Sequence, residues 1–174
     1  MSGLIDTLPE RPKKFPENEP KDHDLGRSRG GFGTKIHIAC DRSGVFFETI
    51  LSPGQDHEST YFEELMETIS VPSRRGRSKK RPKMLCGDKG YSAGHIRAWS
   101  KSRRIKAVIP YKSNEKGRLL PFDKETYRQR NQVERMIGRL KEYRRIATRY
   151  DKLSVHYHAS IKIASIRNLL KTKN

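Results

Sequence analysis

Y-R-Q-R-N-Q-V-E-R-M-I-G-R-L-K, residues Tyr127 to Lys141, is the stretch around which the rest of the chain is organised. Tyr127, Arg130, Glu134 and Lys141 follow one another at steps of three, four and seven residues. At about 3.6 residues per turn, those steps bring all four onto one narrow helical stripe. Val133, Met136, Ile137, Leu140, Tyr143 and Ala147 fall on another face, an apolar side that can dock on a core while the Glu134 side looks outward. Asp123 is a candidate cap for this helix, which is expected to run from about Lys124 to Ala147. Read alone, Glu134 is most simply an i,i+4 partner of Arg130 on a solvated surface.

The 174 residues are one domain's worth of chain, with 38 Lys and Arg against 20 Asp and Glu, a formal charge of +18. Such a surplus attracts a polyanion, and nucleic acid is the natural partner. No apolar run approaches the ~20 residues that span a bilayer, and no strongly amphipathic basic helix points to a membrane surface. The start, M-S-G-L-I-D-T-L-P-E-R-P, is too polar for a secretory signal. Cys40 and Cys86 lack C-x-x-C spacing, which argues against a zinc site or a disulfide scaffold and fits a reducing cytoplasm.

Ahead of the quoted stretch, residues 1–24 read as an extended or disordered segment, because Pro9, Pro12, Pro16 and Pro20 sit among charges. Within it, G-L-I-D-T could form a very short strand carrying Asp6. Arg27 to Gly33, R-S-R-G-G-F-G, sets two guanidiniums, Arg27 and Arg29, among glycines that allow close approach to phosphate; its plainer reading is a flexible turn. Thr34 to Asp41 alternates with period two, Asp41 to Gly44 supplies a hairpin turn, and Val45 to Leu51 returns antiparallel. His37 on the first of these strands reads as a structural histidine.

Phe62, Leu65, Met66 and Ile69 have helical spacing, with Asp56 or Ser59 as a cap. Residues 73–83, S-R-R-G-R-S-K-K-R-P-K, carry seven cations and no acid, a loop suited to DNA backbone through Arg74, Arg75, Lys79 and Lys80, or else merely solvated. Met84 to Gly87 is a buried strand that leaves Asp88 at its carboxyl end, where open α/β sheets place their sites; the alternative is an aspartate that forms a turn. Ile96 and Trp99 mark the next helix, Lys106 to Pro110 another strand. Ala159, Ile163, Ile166 and Leu170 define a last helix, expected to pack on the body through those residues.

Three blocks carry a resemblance. Y-x-x-R-x-x-x-E-x-x-x-x-x-x-K with its continuation R-R-I-A-T-R-Y-D-K-L (Arg144 to Leu153), L-G-R-S-R-G-G-F-G-T-K-I-H (Leu25 to His37) and G-D-K-G-Y-S (Gly87 to Ser92) resemble, in order, bacterial insertion-sequence transposases of the DDE type. The resemblance implies an α/β fold of the RNase H-like kind: a mixed sheet of an antiparallel hairpin plus parallel strands, flanked by helices, its first strand short or missing here. It implies a catalytic domain over residues 25–150, including the 73–83 loop, and a C-terminal helix over 151–174. Asp88 and Glu134 match the second and third catalytic acids and would be the metal ligands; Asp6, in L-I-D-T, is the candidate for the first. Tyr127, Arg130 and Lys141 would face the DNA.

The activity so implied is cutting and joining of double-stranded DNA at insertion-sequence ends, with two Mg²⁺ ions that Mn²⁺ can replace. Homo-oligomers in a synaptic complex and an upstream-frame half of the enzyme are expected partners. The competing readings are a catalytically inactive basic DNA-binding remnant and an RNase H-like nuclease without strand transfer.

Overall fold

The computed structural model describes residues 20–28, 31–115 and 121–171, together with the backbone of residues 2–7. Arg29 and the proline-bearing stretch 8–19, two sequence expectations, lie outside the described residues.

The strand that G-L-I-D-T could form is present as β1 (Ser2–Thr7), so the front of the 1–24 segment is part of the sheet rather than extended or disordered chain. It pairs antiparallel with β3 (Gly31–Cys40), Ser2 opposite Cys40 and Asp6 opposite Ile36. β3 in turn pairs antiparallel with β4 (Phe46–Pro53), and its opening residues pair with the short β2 (Gly26–Ser28). On the other side of β1 lies β5 (Met84–Cys86), parallel and joined through Ser2 and Cys86, and beyond it β6 (Lys106–Val108), parallel to β5. The result is a mixed sheet in the order β4, β3, β1, β5, β6.

The hairpin between β3 and β4 turns at Asp41 as its residues require. Asp41 Oδ1 accepts from the amides of Ser43 and Val45, each at 2.8 Å. Gly44 takes φ +79°, a left-handed conformation that costs glycine nothing.

Both faces of the sheet are covered. On one, Ile36, Ile38, Cys40 and Leu51 pack against Val133, Met136, Ile137 and Leu140 of α4 (Asn131–Lys141), Ile146 of α5 (Arg144–Ala147) and Tyr157, Ile161 and Ala164 of α6 (Ser154–Lys171). On the other, Ala39, Ile50 and Leu85 meet Phe62, Leu65 and Met66 of α1 (Phe62–Thr68) and Ile96 and Trp99 of α2 (Gly94–Ser102). Each Val, Leu, Ile, Met or Phe among them contributes about 1.5–3 kcal/mol of burial. Because helices lie on both faces, the polar half of the β3 alternation is buried too. Lys35 is 9 % exposed and His37 is fully buried, each with polar partners.

Two expectations are corrected. The helix expected from Lys124 to Ala147 is three pieces: α3 (Lys124–Arg128), α4 and α5. At Gln129 and Arg130 the dihedrals stay helical, but the amides of Arg130, Gln132 and Val133 bond three residues back, to Tyr127, Gln129 and Arg130, so the turn tightens there. The second break comes at Tyr143, whose ψ of 114° is extended and whose hydroxyl donates to Asn168 Oδ1 at 2.9 Å on α6.

The other correction concerns α6. Ile163, Ile166 and Leu170 are 67 %, 57 % and 62 % exposed, while Tyr157, Ile161, Ala164 and Ser165 face the sheet. The helix does pack on the body, by the stripe opposite the expected one. His158, whose ring nitrogen lies 2.7 Å from the Thr49 carbonyl, and Lys162, paired with Glu48 at 3.0 Å, fix that rotation. Arg149 anchors the segment before α6: nearly buried, it donates to the carbonyls of His23 at 2.6 Å, Asp151 at 2.8 Å and Lys152 at 2.9 Å, and to Thr34 Oγ1.

Candidate active site

Asp88 follows β5 at its carboxyl end and caps a single 3-10 turn, Lys89–Tyr91. Its Oδ1 accepts from the Gly90 amide at 2.8 Å. The turn-forming alternative is therefore real, and it occupies one carboxylate oxygen; Asp88 is half-buried, and its Oδ2 has no hydrogen bond among the described residues. A Cβ on Gly90 would sit 2.9 Å from Asp88 Oδ1, so a larger residue there would push that carboxylate aside.

α3 lies against β5 and β6, fastened at its start to Lys106, which is level with Met84 at the amino end of β5. Asp123 caps it through Thr126 N at 3.0 Å and binds Lys106 Nζ of β6 at 2.6 Å. The Lys106 ammonium, then the Thr126 amide, hold the Asp123 carboxyl down at about 2. Cys86 Sγ of β5 points at the Thr126 carbonyl, 3.9 Å away. Tyr127, the next residue, has its ring edge-on to Phe122 at 5.2 Å and its hydroxyl within the field of Asp88.

The stripe read from the sequence largely assembles. The Arg130 guanidinium lies 5.3 Å from the Tyr127 ring and pairs with Glu134 Oε1 at 2.5 Å. The Glu134 side chain is 48 % exposed. Burial raises the Tyr127 pKa; Asp88 and Glu134 both add to the rise and Arg130 opposes it, so both carboxylates act on one hydroxyl. Lys141 is exposed at the far end of α4, about 10 Å further along the axis than Glu134 at ~1.5 Å per residue.

Asp6 lies on β1, next to β5. With Ser2 level with Cys86, Asp6 is four residues past that rung and Asp88 two. Strand spacing then separates the two backbones by roughly 8 Å if the chain after β5 keeps its direction. Among the described residues, no three His, Cys, Asp or Glu side chains gather into a metal site; the Asp6 side chain is not among them. The oxygen atoms that Asp88 and Glu134 keep outside their bonds to Gly90 and Arg130 are hard donors of the kind Mg²⁺ takes.

The other sequence-derived cations are spread out. Arg27 on β2 and Arg74, Arg75, Lys79 and Lys80 in the basic loop are exposed. That loop is tied at its base, where Val71 and Lys79 exchange backbone hydrogen bonds of 3.0 and 2.8 Å.

Sequence reasoning missed a polar cluster on the α1 side of the sheet. Lys35 Nζ donates to Glu58 Oε1 and to the Asp56 carbonyl, both at 2.6 Å. His37 Nε2 meets Ser52 Oγ at 2.7 Å, and its ring stacks on Tyr61 at 5.0 Å, Tyr61 in turn bonding Asp56. Burial pushes the His37 pKa down to about 4, so it stands neutral. Lys35 and Glu58 are 23 positions apart, and no local pattern pairs them.

The family model described as the transposase DDE domain matches residues 7–169, and the chain belongs to that family. Its relatives include the putative transposase for insertion sequence element IS402 of Burkholderia cepacia, 27% identical over 149 residues, which are 85% of this chain and 66% of that protein. Another is the putative transposase for insertion sequence element IS6501 of Brucella ovis, 27% identical over 132 residues, 75% of this chain and 93% of the relative. The chain thus spans slightly less than two thirds of the first relative's length.

Proposed function

We propose that this chain is the catalytic part of a DNA transposase, built on an RNase H-like sheet, that cuts insertion-sequence ends and joins them to new DNA. The observation that carries the reading is the strand order β4, β3, β1, β5, β6, which sets β1 with Asp6 beside the end of β5 with Asp88, while α4 with Glu134 lies alongside β1. Sites in open α/β sheets form at such carboxyl ends.

Asp6, Asp88 and Glu134 are the acids of the site in this reading. Divalent cations held there would offset the negative charge that builds on the attacking and leaving oxygens of a phosphodiester. Arg130 neutralises Glu134 when no cation is bound and swings to a DNA phosphate when one is. Tyr127 stacks on or bonds the strand near the scissile bond, and Lys141 takes a phosphate further along. The net +18 charge, concentrated in part at residues 73–83, supplies salt-sensitive attraction for the backbone, with Arg27, Arg74, Arg75, Lys79 and Lys80 as contacts. Two copies of the chain, one at each end of the element, with any upstream half supplied, make the working complex.

The test is cleavage and strand transfer with Mg²⁺ or Mn²⁺ on duplexes bearing the terminal repeats that flank the gene. Activity that survives Asp88→Ala or Glu134→Ala undiminished refutes the mechanism. Hydrolysis of the ends without joining of precleaved ends would leave a nuclease instead.

A further inference from the structure

Glu58 approaches Asp88 from a different part of the chain. It stands in the 3-10 turn Glu58–Tyr61 before α1, and that turn packs on the Asp88 turn. Gly90 lies between them: a methyl group placed there would be 2.9 Å from Asp88 Oδ1 and 3.6 Å from Glu58 Cδ, so the two carboxyl groups are no further apart than the sum of those distances. Like charges that close repel unless something positive joins them.

Lys35 accounts for one half of Glu58 only. Its ammonium sits 2.6 Å from Oε1, and against burial this bond, together with one from the residue's own backbone amide, holds the Glu58 carboxyl below its usual range. The other oxygen, Oε2, has His57 Nδ1 at 4.0 Å, too far for a hydrogen bond, and that nitrogen is engaged instead by Ser59. Asp88 likewise has one oxygen engaged by the Gly90 amide.

A second observation points at the same spot. Tyr91 is 3 % exposed, and its hydroxyl has no hydrogen-bond partner among the described residues. A buried phenol normally finds one, because an orphaned hydroxyl costs about 1–3 kcal/mol. The two charges that bear on this hydroxyl are Asp88 and Glu58. A hydrated cation between the carboxylates brings water to a hydroxyl that otherwise has nothing to bond.

We propose that Glu58 is a further acidic ligand of the divalent-cation site, its carboxylate and that of Asp88 holding one ion between them across Gly90, with the Tyr91 hydroxyl receiving a hydrogen bond from that ion's water. The inference rests on the functional reading above and adds to it a fourth acid that lies outside the three matched ones. Lys35 then serves the site in two ways, cancelling one of the two charges when the ion is absent and keeping Glu58 aimed.

Mn²⁺ titration of the full chain without DNA, followed by electron paramagnetic resonance, tests this directly. Glu58→Gln and Asp88→Asn should each weaken the tightest Mn²⁺ site roughly tenfold or more, and Tyr91→Phe by a few-fold. Lys35→Met should tighten it, because it removes a competing cation, whereas a merely structural Lys35–Glu58 pair would give no gain. Since Glu58→Gln leaves a buried ammonium unpaired, the double variant Lys35→Met/Glu58→Gln removes both charges and decides the matter if the single variant fails to fold. Mn²⁺ affinity in that double variant within twofold of Lys35→Met alone, with binding lost in Asp88→Asn, overturns the Glu58 assignment and leaves the transposase reading standing. A chain that binds no Mn²⁺, or binds it equally without Asp88, overturns both.

Discussion

Replacing Arg149 should cost more stability than replacing any of the acids, and the structure allows the amount to be worked out. Its guanidinium donates to three carbonyls, at 2.6, 2.8 and 2.9 Å, and to Thr34 Oγ1, and it lies 5.1 Å from the Tyr157 ring. Arg149→Met removes all of these. Two of the acceptors, at His23 and Thr34, belong to buried residues and would be left short of a donor, at about 1–3 kcal/mol each. The lost cation–π contact adds roughly 0.5–2 kcal/mol. Against this stands the recovered cost of dehydrating a guanidinium, several kcal/mol at most. The net expectation is a loss of about 3 kcal/mol, in the range measured for broken buried polar networks. Arg149→Lys, which keeps the charge but not the planar fork, should lose about 2 kcal/mol. Trp99, the single tryptophan and mostly buried, reports urea unfolding by its fluorescence. A methionine variant within about 1 kcal/mol of the parent would show that Arg149 is not the clamp joining the segments around His23, Thr34 and Lys152.

Three further outcomes are expected. Glu134→Gln should abolish metal-dependent cleavage yet change stability by less than about 1 kcal/mol, because its pair with Arg130 is solvent-exposed; equilibrium unfolding beside the cleavage assay checks both halves. On α6, Ile163→Lys should shift stability by no more than about 0.5 kcal/mol, whereas Ile161→Ala should cost about 2–5 kcal/mol; equal costs would mean that the helix is rotated differently. His37 stays neutral in the fold down to about pH 4 while an unfolded histidine takes its proton near 6.5, so the unfolded chain binds more protons between those values and stability must fall as pH drops through that window, by roughly 3 kcal/mol. Urea midpoints for His37→Asn should show a shallower pH slope there than the parent; an unchanged slope would locate the titration elsewhere.

Much of the candidate site was legible because its signals are local. Asp88 follows a short apolar run and precedes a glycine, and that pattern produces the strand end and turn in which it sits. Tyr127, Arg130 and Glu134 share a stripe because helical spacing depends on neighbours a few residues away, and the tightening at Gln129–Arg130 leaves that stripe intact. The break itself was not legible, since it follows from Asp123 being fastened to Lys106 on β6 and from Tyr143 reaching Asn168 on α6.

The amino-acid order by itself determined the family, the kinds of element and their sequence, the Asp41–Gly44 hairpin and the helical grouping of Tyr127, Arg130 and Glu134. Only tertiary structure decided which side of α6 is buried. Tyr157, Ile161 and Ala164 form one helical stripe and Ala159, Ile163 and Ile166 another, equally spaced, and the choice between them was made by Cys40, Leu51 and Ile146, which lie elsewhere in the chain. Tertiary structure alone also brought Glu58 to Asp88. A periodic pattern records which residues share a face, whereas the surface that meets that face is supplied by distant segments, and no spacing within one element can encode it.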